Sequence, residues 1–239
     1  ELLNYEEMIA NYEVNFEYAD FDENTASGLC YTSGTTGNPK GVLYSHRSTT
    51  LHAMQVALSF SNALYEGARV LPIVPLFHVN AWGLPFTCPL IGASLIFAGP
   101  FLDGPSLFKL MDNEQATSAW GVPTVLTTLL EEIKHKKRVP TGLNNILVGG
   151  SAISPGFIED YENLGITVNH AWGMTEMSPI GTQGCIPASR QRLTFDALRN
   201  LKMRQGRRIF GVDMKIVDNN GNEIAQDDDQ SGELYVRSN

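Results

Sequence analysis

Tyr31 to Gly41 read YTSGTTGNPKG, and within these eleven residues stand four Ser/Thr hydroxyls, three glycines and one lysine. Gly34, Gly37 and Gly41 let main-chain N–H groups approach a ligand with no Cβ in the way. Thr32, Ser33, Thr35 and Thr36 add hydroxyl donors, and Lys40 adds a mobile positive charge. That combination suits a polyphosphate. The spacing is not that of the common P-loop, because Pro39 precedes the lysine and Gly41, rather than Ser or Thr, follows it. The apolar run Gly28-Leu29-Cys30-Tyr31 leads in like a strand, and a helical pattern from Ser45 to Asn62 leads out. A plain Gly/Ser/Thr linker is the alternative, and these ordered flanks argue against it. The expectation is therefore strand, glycine-rich turn and helix in succession, an arrangement that sets phosphate at a helix N-terminus.

Working outward, a short helix at Tyr5 to Asn11 and an acidic connector through Asn24 precede the loop. Beyond it, Ala68 to Val74 reads as a buried strand, Val79 to Ile91 as an apolar helix interrupted by Pro85 and Pro89, and Ala93 to Ala98 as a strand. The alternation continues with helix Pro105 to Asn113, strand Thr117 to Trp120, helix Pro123 to Lys134, strand Asn145 to Val148, helix Pro155 to Leu164 and strand Thr167 to Ala171. In the helix from Pro123, Val122, Val125, Leu126, Leu129, Leu130 and Ile133 recur at three- and four-residue intervals, the mark of one buried face. Ser154 followed by Pro155 is an N-cap with proline at the first helical position. Strands alternating with helices predict an α/β fold with mostly parallel sheets covered by helices. After about Pro187 the character changes. A helical stretch, Phe195 to Met203, precedes two strand-like runs, Val212 to Val217 and Glu233 to Arg237, with turn-rich, acidic residues between them. The expected division is an α/β core over 1–187 and the start of a small β-rich subdomain over 188–239.

Three further stretches carry candidate chemistry. HAWGMTEMSP, His170 to Pro179, follows a predicted strand, so Gly173 to Glu176 should lie at its carboxyl end, where ligands collect in parallel α/β sheets. Glu176 is a hard oxygen ligand of the kind Mg²⁺ takes, and Thr175 is a phosphate donor, although a Thr-Glu pair taken alone also opens helices. Gly149-Gly150-Ser151-Ala152 also follows a predicted strand end, and by itself fits a tight strand-to-helix turn equally well. PLFHVNAWG, Pro75 to Gly83, sets His78 among the apolar bulk of Phe77 and Trp82. These residues fit either a packed core with a satisfied histidine or the wall of a ligand pocket.

With those motifs in place, the chain resembles the adenylate-forming (AMP-binding) superfamily, which holds acyl-CoA synthetases, firefly luciferase and the adenylation domains of peptide synthetases. YTSGTTGNPKG resembles its phosphate-loop signature and Trp172-Gly173-Met174-Thr175-Glu176 its second signature, in which tyrosine usually stands where Trp172 stands here. The resemblance implies that Trp172, Gly173, Met174 and Thr175 bind the nucleotide and that Trp172 stacks on adenine. It also implies that Gly149, Gly150, Ser151 and Ala152 form the other adenine wall, with Gly149 touching the acyl group. PLFHVNAWG is similar to the substrate-pocket motif of medium- and long-chain fatty acyl-CoA synthetases, which puts His78 and Trp82 beside the acid. Peptide-synthetase domains place an aspartate here for the substrate's ammonium, and this chain has Asn80 and Ala81 instead. The implied reaction joins a carboxylic acid to CoA through an acyl adenylate, at the expense of ATP. Lys40, Thr175 and Glu176 are then the catalytic residues, and Glu176 the Mg²⁺ ligand. A short thioether-containing acid or an aryl acid is an alternative substrate. A nucleotide-binding module is the alternative from another functional class. The resemblance implies that the chain stops just before the superfamily's ribose-binding segment and short of its mobile C-terminal domain. The expectation is a central fragment of the N-terminal domain, inactive by itself.

Bulk properties set the outer limits. A net charge of −9 argues against broad nucleic-acid binding, and the basic run Lys134 to Arg138 reads as a solvated helix end. No stretch is apolar enough to span a bilayer. Three cysteines, Cys30, Cys88 and Cys185, lack ligand-like spacing and read as buried reduced thiols, which fits a cytoplasm. The oligomeric state is left open, a homodimer included.

Overall fold

A computed structural model describes residues 4–13, 15, 17–32, 37–184, 186, 192–225 and 230–238. Its centre is a seven-stranded sheet of β3 (Arg69–Pro72), β4 (Ser94–Leu95), β5 (Ser118–Gly121), β6 (Asn145–Val148), β7 (Thr167–Gly173), β8 (Ile180–Gln183) and β9 (Arg207–Arg208), in the order β4-β3-β5-β6-β7-β8-β9. The first five run parallel, whereas β8 and β9 are antiparallel additions at one edge. Two antiparallel hairpins stand as separate small sheets, β1 (Ala26–Thr32) with β2 (Lys40–Ser45) and β10 (Asp213–Val217) with β11 (Glu233–Arg237).

The strands are apolar on both faces because both faces are covered. Leu71, Ala119, Ile146 and Val148 point to a core shared with α5 (Gly104–Asn113), α6 (Pro123–Lys136) and α7 (Pro155–Asn163). Val70, Trp120 and Leu147 point the other way, to α2 (His46–Ser59) and α4 (Leu84–Ile91). Burying each such large side chain is worth about 1.5–3 kcal/mol. Two of the largest buried side chains have their polar tips satisfied: Trp120 Nε1 donates to Ser118 Oγ at 3.0 Å, and Tyr161 Oη donates to the Leu126 carbonyl at 2.6 Å, tying α7 to α6. Leu126, Leu129, Leu130 and Ile133 form the buried face of α6 that their spacing predicts. Ser154 caps α7 through the Phe157 N–H, with Pro155 in the first turn. The basic run ends α6, with Lys134 paired to Asp160, Lys136 to Glu132 and Arg138 to Asp112.

Two expectations are corrected. The glycine loop does not hand over directly to a helix, because β2 intervenes, pairing Lys40 with Thr32 and Tyr44 with Gly28 before α2 begins. The run Gly41-Val42-Leu43-Tyr44 alternates, with Val42 and Tyr44 turned inward and Leu43 out, which is strand periodicity. Ser45 then caps α2 in a reciprocal pair with Ser48, so the helix N-terminus lies a whole strand away from the loop. Nor is Val79 to Ile91 a helix broken at its prolines. Val79, Asn80, Ala81 and Trp82 all have positive φ, between 46° and 58°, so this single turn, α3 (Val79–Trp82), is left-handed. The break falls at Gly83 (φ 78°), after which α4 runs with Pro85 in its first turn, where no N–H is needed, and tolerates Pro89 near its end. The strand β8 lies beyond those the sequence reading anticipated.

Candidate active site

The carboxyl ends of β6 and β7 open into a cleft of about 180 Å³. Its lining joins four stretches far apart in sequence: His78, Val79 and Trp82; Gly149 and Gly150; Ala171 to Thr175; and Pro179 with Ile180. Each gets there for a local reason. Gly149 and Gly150 terminate β6, and a Cβ on Gly149 would lie 3.2 Å from both the Trp82 ring and the Ala171 carbonyl oxygen. Gly150 has φ +84°, a conformation that glycine takes without strain. The left-handed turn α3 delivers Trp82, 6% exposed, with its ring against Gly149. His78, at the entrance to that turn, is exposed.

The opposite wall is the β7–β8 connection. Gly173 pairs with Ile180, the Met174 N–H donates to the Pro179 carbonyl at 3.0 Å, and Thr175–Met177 form one 3₁₀ turn closed by Ser178 at φ 72°. A Cβ on Gly173 would collide with the Pro179 carbonyl oxygen, so glycine is required there. Trp172 is half-buried at the end of β7, a flat apolar surface at the cleft. Thr175 lines the cleft, and Glu176 stands exposed on the same turn.

Of the residues singled out in the sequence, His78, Trp82, Gly149, Gly150, Trp172, Gly173, Met174 and Thr175 are brought together here. Ser151 and Ala152 follow on the exposed side, and Glu176 lies on the rim turn rather than in the lining. Thr32, Gly37 and Lys40 sit toward the loop end of the β1–β2 hairpin, where Thr32 pairs with Lys40, and outside the lining, while Ser33, Gly34, Thr35 and Thr36 lie outside the described residues. The hairpin is nonetheless fastened to this wall, since Tyr44 Oη donates to the Thr175 carbonyl at 2.6 Å. Burial first, then neighbouring Cys30 and Glu176, pushes the Tyr44 phenol above its ordinary range, so it stays a donor. Val79, Ala171, Pro179 and Ile180 complete the apolar side of the cleft. Sequence reading passed over them because small or aliphatic residues in such positions look like ordinary core.

Cys30 and Cys88 are buried and free. Cys185 lies outside the described residues. Among the described residues no three His, Cys, Asp or Glu side chains gather as a metal cage, and no helix is long and apolar enough to cross a membrane. A lone carboxylate on a rim suits Mg²⁺ better than a metal that needs an all-protein cage, because Mg²⁺ keeps several waters and is held by one or two carboxylates together with phosphate oxygens.

The cleft thus lies at the strand ends of a parallel sheet, walled by glycines on one side, with the β1–β2 hairpin beside it. The chain belongs to the AMP-binding enzyme family, whose model matches residues 3–239. It is 45% identical over 237 residues to a medium-chain-fatty-acid–CoA ligase of Ectopseudomonas oleovorans, covering 99% of this chain and 43% of that protein. It is 44% identical over 236 residues to a 3-methylmercaptopropionyl-CoA ligase of Ruegeria pomeroyi, covering 98% and 43%. The chain thus spans less than half the length of these relatives. The crystal structure of a long-chain-fatty-acid-CoA ligase from Archaeoglobus fulgidus matches with a TM-score of 0.81 at 23% identity, over 97% of this chain and 46% of that one. O-succinylbenzoate coenzyme A synthetase of Bacillus subtilis, in complex with ATP and magnesium ion, matches with a TM-score of 0.77 at 23% identity, over 97% and 46%. At such identities the structural likeness establishes the shared fold.

Proposed function

We propose that this chain is the nucleotide- and acid-binding part of an AMP-forming acid–CoA ligase acting on a medium- or long-chain fatty acid or a similar apolar acid. The supporting observation is the single cleft in which Trp172 to Thr175, Gly149, Gly150, His78 and Trp82 converge. Its apolar side is suited to an acyl chain, and Trp172 gives a flat face for adenine. The likeness to fatty-acid and 3-methylmercaptopropionate ligases supports the same reading.

In this reading a carboxylate oxygen attacks the α-phosphorus of ATP, the bond to the bridging oxygen breaks, and pyrophosphate leaves. A carboxylic acid is already ionised near pH 7, so no general base is required for that step. Alignment and charge compensation are required instead. Thr175 orients the phosphates, Lys40 and the hydroxyls of Thr32, Ser33, Thr35 and Thr36 receive the departing pyrophosphate, and Glu176 is the residue that would hold Mg²⁺. When bound, that ion neutralises phosphate charge. In the second half-reaction the sulfur of CoA attacks the acyl carbonyl and AMP leaves. We place this work in a core over 1–187, with a β-rich subdomain following, in the cytoplasm.

The test is carboxylate-dependent ATP–pyrophosphate exchange by the full-length protein over a panel of fatty, thioether and aryl acids. Exchange strongest with fatty acids is expected. Exchange confined to 3-methylmercaptopropionate would favour the second reading, a short thioether acid, for which the 44% identity speaks. Nucleotide binding with no exchange for any acid would leave a binding module.

A further inference from the structure

Two buried side chains that do not line the cleft fasten its Trp172–Ile180 wall from outside. Tyr44, 4% exposed on β2, donates to the Thr175 carbonyl at 2.6 Å. His52, 2% exposed on α2, accepts at Nε2 from the Ile180 N–H at 3.1 Å. Between these two anchors lies the turn carrying Thr175 and Glu176, which within itself is closed by the bond from Met174 to Pro179. The same His52 ring lies against Gly83, which ends the turn that carries Trp82 to the other wall, since a Cβ there would come within 2.8 Å of its Cε1 and Nδ1. One imidazole therefore touches both sides of the cleft's frame.

What Tyr44 and His52 add is a partner for one particular backbone group each, in a place where an unpaired buried N–H or C=O is costly. Burial pushes the His52 imidazole down to about 4, which leaves the ring neutral near pH 7 with Nε2 free to accept and the proton on Nδ1. We propose that Tyr44 and His52 are positioning residues, clamping the Thr175–Ile180 turn at its two ends so that Thr175 and Glu176 are held where the phosphates of ATP are received. This rests on the reading of the cleft as an ATP site, and it adds a function to two residues that touch no ligand.

The test compares Tyr44→Phe, which keeps the ring and loses the donor, with His52→Leu, which loses the acceptor, and His52→Gln, whose amide oxygen can replace it. In the full-length protein, equilibrium binding of Mg–ATP is measured by calorimetry, beside the KM for the acid and the unliganded Tm. Tyr44→Phe and His52→Leu should each weaken Mg–ATP binding on the order of tenfold, with the KM for the acid unchanged and His52→Gln recovering most of the affinity. If His52→Leu does not fold, Tyr44→Phe decides. Wild-type Mg–ATP affinity in Tyr44→Phe overturns the proposal. So does an affinity loss that only accompanies lower Tm and a raised acid KM, because that is general loosening. A wild-type protein that binds Mg–ATP without acid-dependent exchange defeats the ligase reading alone, and the binding comparison still decides the clamp.

Discussion

Glu176 stands exposed on a turn whose two ends are fixed by buried partners, so its carboxylate can be removed with little packing cost. Glu176→Gln in the full-length protein should lower ATP–pyrophosphate exchange by orders of magnitude, about 3 kcal/mol of transition-state stabilisation if it holds the metal. Unchanged exchange with an unchanged Mg²⁺ optimum would remove the assignment. Trp82 is a different case, because it is 6% exposed and belongs at once to the core and to the cleft lining. Trp82→Ala should therefore do two things: lower stability by about 3–5 kcal/mol, and shift preference along a chain-length series of acids while the KM for ATP stays put. A stability loss with an unaltered acid profile would reduce Trp82 to a core residue.

The β7–β8 connection turns on one residue without a side chain. Any Cβ at position 173 meets the Pro179 carbonyl oxygen, so Gly173→Ala must open the bond from Met174 to Pro179 or displace the 3₁₀ turn. Weakened nucleotide binding together with a lowered Tm is expected, read by calorimetry and thermal unfolding. Retention of both would mean that the hairpin relaxes freely. The elements also differ in how plainly they could be read. Helix α6 announced itself through apolar residues at helical spacing and α7 through Ser154 followed by Pro155, because local chemistry and tertiary burial agree there. Strand β2 was hidden because its short alternation runs straight into the helical pattern of α2. All four residues of β8 are buried, yet Gly181, Thr182 and Gln183 lack the apolar character of a core strand, since side chains of other elements cover it, Met177, Trp172 and Met214 lying over Gly181. Least legible was the left-handed turn α3. Val, Asn, Ala and Trp in succession carry no glycine, each left-handed non-glycine residue costs roughly 1–2 kcal/mol, and only packing against the strands and α2 can impose such a shape. Hence His78 and Trp82 were legible as site candidates, while the backbone that aims them was not.

Across the whole molecule, a histidine buried behind the cleft frame helps to set an acid limit. His52 titrates near 4 when folded, against an ordinary 6.5 when unfolded, and Tyr44, Thr49, Asn80 and Ser178 around its small cavity offer it no carboxylate. The unfolded chain therefore binds more protons between those values, so the contribution of His52 is complete above about pH 6.5 and falls by roughly 3 kcal/mol as pH drops toward 4, and His170, whose imidazole burial also pushes down, acts in the same direction. Asp112, held well below the usual carboxylate range by Arg138 and the Thr141 N–H, acts only at lower pH. Denaturation of His52→Gln across this window should show a flatter acid limb than the wild type, and parallel curves would show that His52 is not the group responsible. One bond also offers a clock for the chain. The Ile180 amide is covered by a residue 128 positions away, so no local fraying of β8 can restore its shield once α2 has left. In deuterium exchange that single amide should keep time with the opening of the entire sheet, while the Thr25 N–H, bonded three residues back to Asp22, exchanges on its own far sooner.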